Sequence, residues 1–147
     1  MKRAGAYKRQ RRIYLSPSSK TTTGIWIDTS PRIVLDETEP PSVKGKYVRE
    51  VLRHSKEGVP RPTDWEGFDH AFLKEVGAKS WSQFAKTALS CTIDLEGDQL
   101  EFLPWRNSGA KENYNFVPIE DRKMTISFDA SDEEMGLLLE KAFDACE

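Results

Sequence analysis

The sequence of 147 residues is short of the side chains that most often carry chemistry: it has two cysteines, two histidines and three methionines. Cys91 and Cys146 are too few and too far apart for a zinc ribbon or a Cys-x-x-Cys redox centre. No metal site is expected, and both thiols read as small, reduced core residues. His54 and His70 are the only groups whose ordinary pKa lies near neutrality. His54 falls at a predicted helix end, where an imidazolium suits the dipole, and His70 falls mid-helix beside Asp69. Both read as surface residues rather than general bases. Gly-x-Gly-x-x-Gly, Gly-x-x-x-x-Gly-Lys-Ser/Thr, His-Glu-x-x-His and Gly-x-Ser-x-Gly are all missing. The expectation is therefore no enzyme, no cofactor, no catalytic residue and no small-molecule substrate. No apolar run reaches the ~18 residues that a membrane helix needs. The basic N-terminus lacks the apolar stretch of a signal peptide, so a cytoplasmic location is expected.

What the sequence does have is charge, unevenly laid out. The 22 Lys+Arg and 24 Asp+Glu leave a formal net charge of −2. Residues 1–12 hold six bases (Lys2, Arg3, Lys8, Arg9, Arg11, Arg12) and no acid. Residues 1–11 read as a flexible basic arm, with residues 12–147 as one domain. Such an arm with Tyr7 is the signature of the rival function, an RNA-binding module. No recognition motif follows it, however, and the rest of the chain is acidic. An inhibitor is expected to tolerate loss of the arm. Seven acids occupy residues 129–147, most of them in the capped helix described below.

Hydrophobic periodicity predicts the order β-β-β-α-α-α-β-β-β-α. Ile13 and Leu15 mark a first strand, and Ser16 to Gly24 a polar loop whose hydroxyls serve the local backbone. Ile25 to Ile27 and Ile33 to Leu35 read as a hairpin across Asp28-Thr29-Ser30-Pro31. Ser42 is placed as the cap of a helix to Ser55, with Val43, Tyr47, Val48, Val51 and Leu52 on one face. Helices follow over Trp65 to Val76, closed by Gly77, and from the Ser80 cap. Cys91 to Leu95 and Leu100 to Leu103 form a hairpin about Glu96-Gly97-Asp98. A brief extended stretch over Asn115 to Ile119 and a strand over Met124 to Phe128 come next. Ser131 to Glu134 is a capping box opening the last helix. Trp26, Trp65, Trp81 and Trp105 read as core and rim packing. The fold expected is α/β of the α+β kind: a single domain with a largely antiparallel sheet of about six strands and helices on one face.

Ser16-Pro17-Ser18-Ser19-Lys20-Thr21-Thr22-Thr23-Gly24-Ile25-Trp26-Ile27 resembles the N-terminal signature of the contact-dependent growth inhibition (CDI) immunity proteins. Gly58-Val59-Pro60-x-Pro62-x-x-Trp65 and Gly77-Ala78-Lys79-Ser80-Trp81-Ser82-x-Phe84 resemble two further blocks. Phe102-x-Pro104 with Asn107-x-Gly109 resembles a fourth, and Lys111 to Asn115 departs from the pattern. The resemblance spans about residues 12–128. It implies a cytosolic inhibitor that binds, one to one, the C-terminal domain of a cognate toxin, often a nuclease and especially an RNase. It implies no direct contact with nucleic acid or membrane. Motifs shared among inhibitors of different toxins should build the scaffold, so toxin contacts are expected among the charged loops. A cationic RNase cleft would attract carboxylates, which singles out Asp36, Glu37, Glu39, Glu96, Asp98 and Glu101.

Overall fold

A computed structural model of the chain describes residues 1–108 and 116–147. Its strands are β1 (Lys2–Arg9), β2 (Arg12–Thr21), β3 (Trp26–Asp28), β4 (Ile33–Asp36), β5 (Glu57–Val59), β6 (Leu89–Glu96), β7 (Gln99–Asn107), β8 (Phe116–Pro118) and β9 (Met124–Ser127). Its helices are α1 (Pro41–Arg53), α2 (Trp65–Val76), α3 (Trp81–Thr87) and α4 (Asp132–Asp144). The main path across the sheet runs β3-β2-β1-β6-β7-β8, with β4 and β5 also on β2 and β9 also on β7. Every pairing is antiparallel except β2 with β5. The expected α+β domain with about six strands in an antiparallel sheet is thus what the chain forms. Part of the resemblance block at Asn107-x-Gly109, and all of Lys111 to Asn115, lie outside the described residues.

The basic arm is corrected outright. Lys2–Arg9 is an interior strand, paired with β2 on one side and β6 on the other. Its small residues explain this: Ala4 and Ala6 are buried beneath helices, and Gly5 lies between them facing the other way. Most of its bases are held by groups distant in sequence. Arg3 pairs with Asp94 at 2.6 Å and Lys8 with Glu37 at 3.5 Å. Lys2 Nζ donates to Ser55 O at 3.1 Å, and Arg9 Nε to Thr87 Oγ1 at 3.2 Å. The turn into β2 uses Gln10 and Arg11, both at positive φ (51° and 65°). That is a two-residue hairpin without its usual Asn-Gly signature, which is why sequence pattern missed it.

Two other expectations change. The polar loop after Leu15 is the continuation of β2, where Ser16, Ser18, Ser19 and Thr21 are buried and bonded. Ser19 Oγ accepts from Lys56 N at 3.1 Å, and Ser55 Oγ donates to Ser18 O at 2.6 Å. β3 and β4 do not pair with each other. Both lie antiparallel along β2, at Ser18 to Lys20 and at Arg12 to Leu15, with a cis Ser30-Pro31 bond in the excursion between them. The hairpin at Gly97 (φ 61°) forms as expected. So do the Ser80 and Ser131 caps, and Gly77 closes α2 at φ 71°. Helix α1 starts two residues early, with Pro40 rather than Ser42 at the cap position and Pro41 at its first position, where proline's missing N–H costs nothing.

Helices cover both faces, not one. On the first face, Val48, Val51 and Leu52 of α1 and Met135, Leu139, Ala142 and Phe143 of α4 meet Ile13, Leu15, Ile93, Leu100 and Phe102. The two helices cross so closely that a Cβ on Gly45 would collide with Asp132 backbone, and one on Gly136 with Pro41 backbone. Ion pairs flank the crossing. Lys44 Nζ meets Glu140 Oε1 at 2.7 Å and also donates to Glu37 O; Arg49 Nε meets Asp132 Oδ1 at 2.7 Å, and Arg49 Nη1 donates to Phe128 O at 2.6 Å. On the second face a smaller cluster forms from Tyr14, Val76, Phe84 and Ala88, with Tyr7, Phe72 and Phe116.

Gly→Ala in a helix interior ordinarily stabilises by about 1 kcal/mol. At Gly45 and Gly136 the sign should reverse, each alanine costing roughly 1–3 kcal/mol through backbone overpacking; urea unfolding of the two variants measures this. Deletion of residues 1–9 should abolish the cooperative transition, because it opens the sheet between β2 and β6, and thermal melts followed by circular dichroism read it directly.

Candidate functional site

The six carboxylates singled out by sequence fall into two groups. Asp36 pairs in register with Arg12 at the β1–β2 turn, and Lys8, beside Glu37, pairs with Leu89. Glu96 follows Leu95, which pairs with Lys2. The groups thus sit at opposite ends of β1, about 20 Å apart at strand rise. No single acidic patch unites them.

Their electrostatics also differ. Asp36 Oδ1 accepts from Thr38 Oγ1 at 2.6 Å and from Thr38 N at 2.9 Å. These bonds, with Arg11 and Arg12 nearby, hold its carboxyl below the usual aspartate range. Glu37 is taken by Lys8, and Glu39 N donates to Asp36 O at 3.1 Å. In the first group Asp36 and Glu37 are therefore engaged locally, while the Glu39 carboxylate makes no ion pair within 4 Å among the described residues. At the other end, Glu96 and Asp98 are exposed and make no ion pair within 4 Å among the described residues. Phe128 N donates to Asp98 O at 2.6 Å, which brings exposed Asp129 beside the hairpin tip. Glu101 stands behind them, 3.9 Å from Lys123.

A feature that sequence reasoning missed lies on the second face. Between α2 and the β3–β4 excursion runs an open groove of about 770 Å³. Phe68, Ala71, Phe72 and Leu73 of α2 form one wall, with Trp81; Tyr7 and Asp28 form the floor; Thr29, Ser30 and Arg32 form the opposite side. Strand β3 places Asp28 opposite Ser18, whose Oγ donates to Asp28 Oδ1 at 3.4 Å. Arg32 lies over the Phe72 ring, 4.6 Å from its centroid, and its Nε meets Glu75 Oε2 at 2.5 Å. Burial raises the Asp28 carboxyl, an effect that Arg32 and Ser18 only partly offset. Burial, and then the Asp28 charge, push the Tyr7 phenol above its ordinary range. Asp28-Thr29-Ser30-Pro31 had the composition of a turn, and the α2 apolar residues that of a core face. The one available signal was an α2 stripe with more large aromatics than a short amphipathic helix needs to anchor itself.

Of the four tryptophans, Trp81 lines this groove, while Trp26, Trp65 and Trp105 do not line it. Trp65 and Trp81 are exposed at 37% and 39%, and Trp26 and Trp105 are half-buried, so none of the four is a core residue. Trp105 Nε1 donates to Thr92 Oγ1 at 2.8 Å, and Trp26 carries Arg3 over its ring at 4.8 Å. His54 sits at the α1 end, 3.4 Å from Glu50. Cys91 is buried, and its thiol is pushed well up by that burial. Among the described residues no cluster of three or more His, Cys, Asp or Glu is placed to hold a metal, and no helix is long and apolar enough to cross a membrane.

The same layered sheet recurs in two solved structures. One is a protein of unknown function from Neisseria meningitidis, at TM-score 0.81 and 19% identity, covering 99% of this chain and 95% of that one. The other is described as a CdiA-CT/CdiI toxin and immunity complex from Yersinia pseudotuberculosis, at TM-score 0.80 and 16% identity, covering 99% and 97%. At these identities the likeness defines a shared α+β fold class. The family is given by the sequence itself: the CdiI (CDI immunity protein) model matches residues 2–146, and the chain belongs to that family. No curated protein matches the sequence.

The two aspartates make opposite pH predictions. Asp36, with a depressed folded pKa, adds stability above the ordinary aspartate value of ~3.9 that is lost as pH falls through the folded one. Asp28, faced by Arg32, Ser18, Tyr7, Asp69 and Glu75, has a raised pKa, so its contribution is complete below the ordinary value and is lost as pH rises through the folded one. Carboxyl ¹³C NMR should show Asp36 titrating before Asp28, and Asp28→Asn should gain stability relative to wild type as pH rises above ~3.9 through the raised Asp28 value, which steepens the acid limb of the stability curve.

Proposed function

We propose that the chain neutralises a cognate CDI toxin domain by binding it one to one and covering its active site, without turnover and within the cytoplasm. The observation that carries this reading is the family match over residues 2–146. The Yersinia structure of the same fold, described as a toxin and immunity complex, supports the class of partner. A stable pair of this kind buries ~1,600 Å² in total, with most of the energy in a few anchors.

The toxin is read as a nuclease, most often an RNase. Phosphate-binding clefts are cationic, and a carboxylate surface is drawn to them by the same field that draws the substrate. The geometry favours the Glu96, Asp98 and Glu101 end of the sheet as that surface, because Glu96 and Asp98 are exposed and unpaired with bases. Asp36, Glu37 and Glu39 keep a smaller role. Thr38 occupies Asp36, and Lys8 occupies Glu37. Basic residues of β1 support no RNA-binding alternative, since most are tied within the sheet.

Co-expression with the C-terminal toxin domain encoded beside this gene is the test. The toxin alone should kill, and the pair should grow. Glu96→Lys/Asp98→Lys/Glu101→Lys should slow association about tenfold at low salt and weaken protection, while Asp36→Lys/Glu37→Lys/Glu39→Lys should have the lesser effect. A soluble wild-type chain that leaves the toxin lethal ends the proposal. Equal association rates for wild type and the first triple variant remove the hairpin surface.

A further inference from the structure

The groove on the second face has a charge that the fold does not balance. Four charged residues line it: Asp28, Asp69, Glu75 and Arg32. Arg32 is committed elsewhere, to Glu75 at 2.5 Å and to Ser16 Oγ at 3.4 Å. Asp28, at the floor, has no cation within 4 Å among the described residues, and its hydrogen bond from Ser18 is long at 3.4 Å. A partly desolvated carboxylate held by one long hydrogen bond, with its nearest guanidinium beyond 4 Å, is costly unless a closer cation arrives to pair with it. Phe68, Phe72 and Trp81 line the groove beside it, and Phe72 already carries one guanidinium on its face. Such walls suit the methylene stem and charged head of a long basic side chain.

We infer that the groove is a socket for one lysine or arginine side chain of the partner toxin, its head paired with Asp28 and its stem against Phe68 and Phe72. This rests on the reading of the chain as an immunity protein and gives that interface a buried anchor distinct from the exposed acidic hairpin. The volume, about 770 Å³, lies within the range of well-formed ligand sites and leaves room for the backbone that carries the side chain. Charge complementarity selects the occupant: two acids left over after the Arg32–Glu75 pair favour a basic group and disfavour the carboxylates and phosphates an arginine-rich pocket would take.

Three chains test this against the purified toxin domain by stopped-flow binding and calorimetry: wild type, Asp28→Asn and Ala71→Trp. Ala71 is exposed on the groove wall, so the larger side chain plugs the groove without removing a charge. Both variants should bind at least tenfold more weakly. The Asp28→Asn loss should fall in the dissociation rate, whereas hairpin reversals act on association. Its melting temperature should match or exceed wild type, because the charge it removes is one the fold disfavours; a structural role would lower it. Replacing the basic residues of the toxin one at a time by alanine should find one that no longer distinguishes wild type from Asp28→Asn. If Asp28→Asn and Ala71→Trp bind the toxin as tightly as wild type, the socket is wrong and the immunity reading survives. A dimer of the chain that Asp28→Asn dissociates, with toxin affinity unchanged, would overturn it equally. If wild type does not bind the toxin, the functional reading fails and the socket fails with it.

Discussion

The close crossing of α1 and α4 is the constraint on which the rest of the molecule depends. Gly45 and Gly136 let each helix press on the other's backbone near Asp132 and Pro41. At that separation Val48, Val51 and Leu52 reach the sheet together with Met135 and Leu139 in one buried cluster. The ion pairs Lys44–Glu140 and Arg49–Asp132 follow from the same approach. Lys44 is almost wholly buried and also holds Glu37 O, so the helix crossing fixes the β4–α1 loop as well. Removing Glu140 would leave the buried Lys44 ammonium with the Glu37 carbonyl as its remaining partner.

With one face closed, the second is free to carry a site. There the helices are shorter, and the cluster around Phe84 and Tyr14 is small. It closes one end of the face and leaves the other as a groove. Tyr7 belongs to both: it meets Phe84 edge-on with centroids 5.1 Å apart, and it floors the groove beside Asp28. The strand that seemed to be a tail thus ties the core to the site.

How far the sequence could be read depends on whether a feature was written locally. The β6–β7 hairpin, the Ser80 and Ser131 caps and the Gly77 stop were legible because turn and cap chemistry are confined to a few neighbouring residues. Strand β1 was not, since its bases find Asp94, Glu37, Ser55 and Thr87 only after folding. Strand β2 was hidden for a similar reason: buried serines look like a loop until Ser55, Lys56 and Thr29 satisfy them. The acidic residues were correctly seen as surface groups, but their distribution over two ends of the sheet could not be seen without register. The groove was invisible altogether, because its floor comes from β1 and β3 and its wall from α2.

The central position of β1 has a consequence for the newborn chain. Lys2 to Lys8 cannot find their second neighbour until Leu89 to Leu95 have been made, and Pro41 cannot meet Gly136 until α4 has been made. At ribosomal speeds of about 5–20 residues per second, the β1–β2 hairpin waits roughly 4–15 s with one edge open. No early fragment of this chain contains a finished face. The closed first face therefore needs residues from both halves of the chain, and neither half alone offers a partner the surface that the whole domain does.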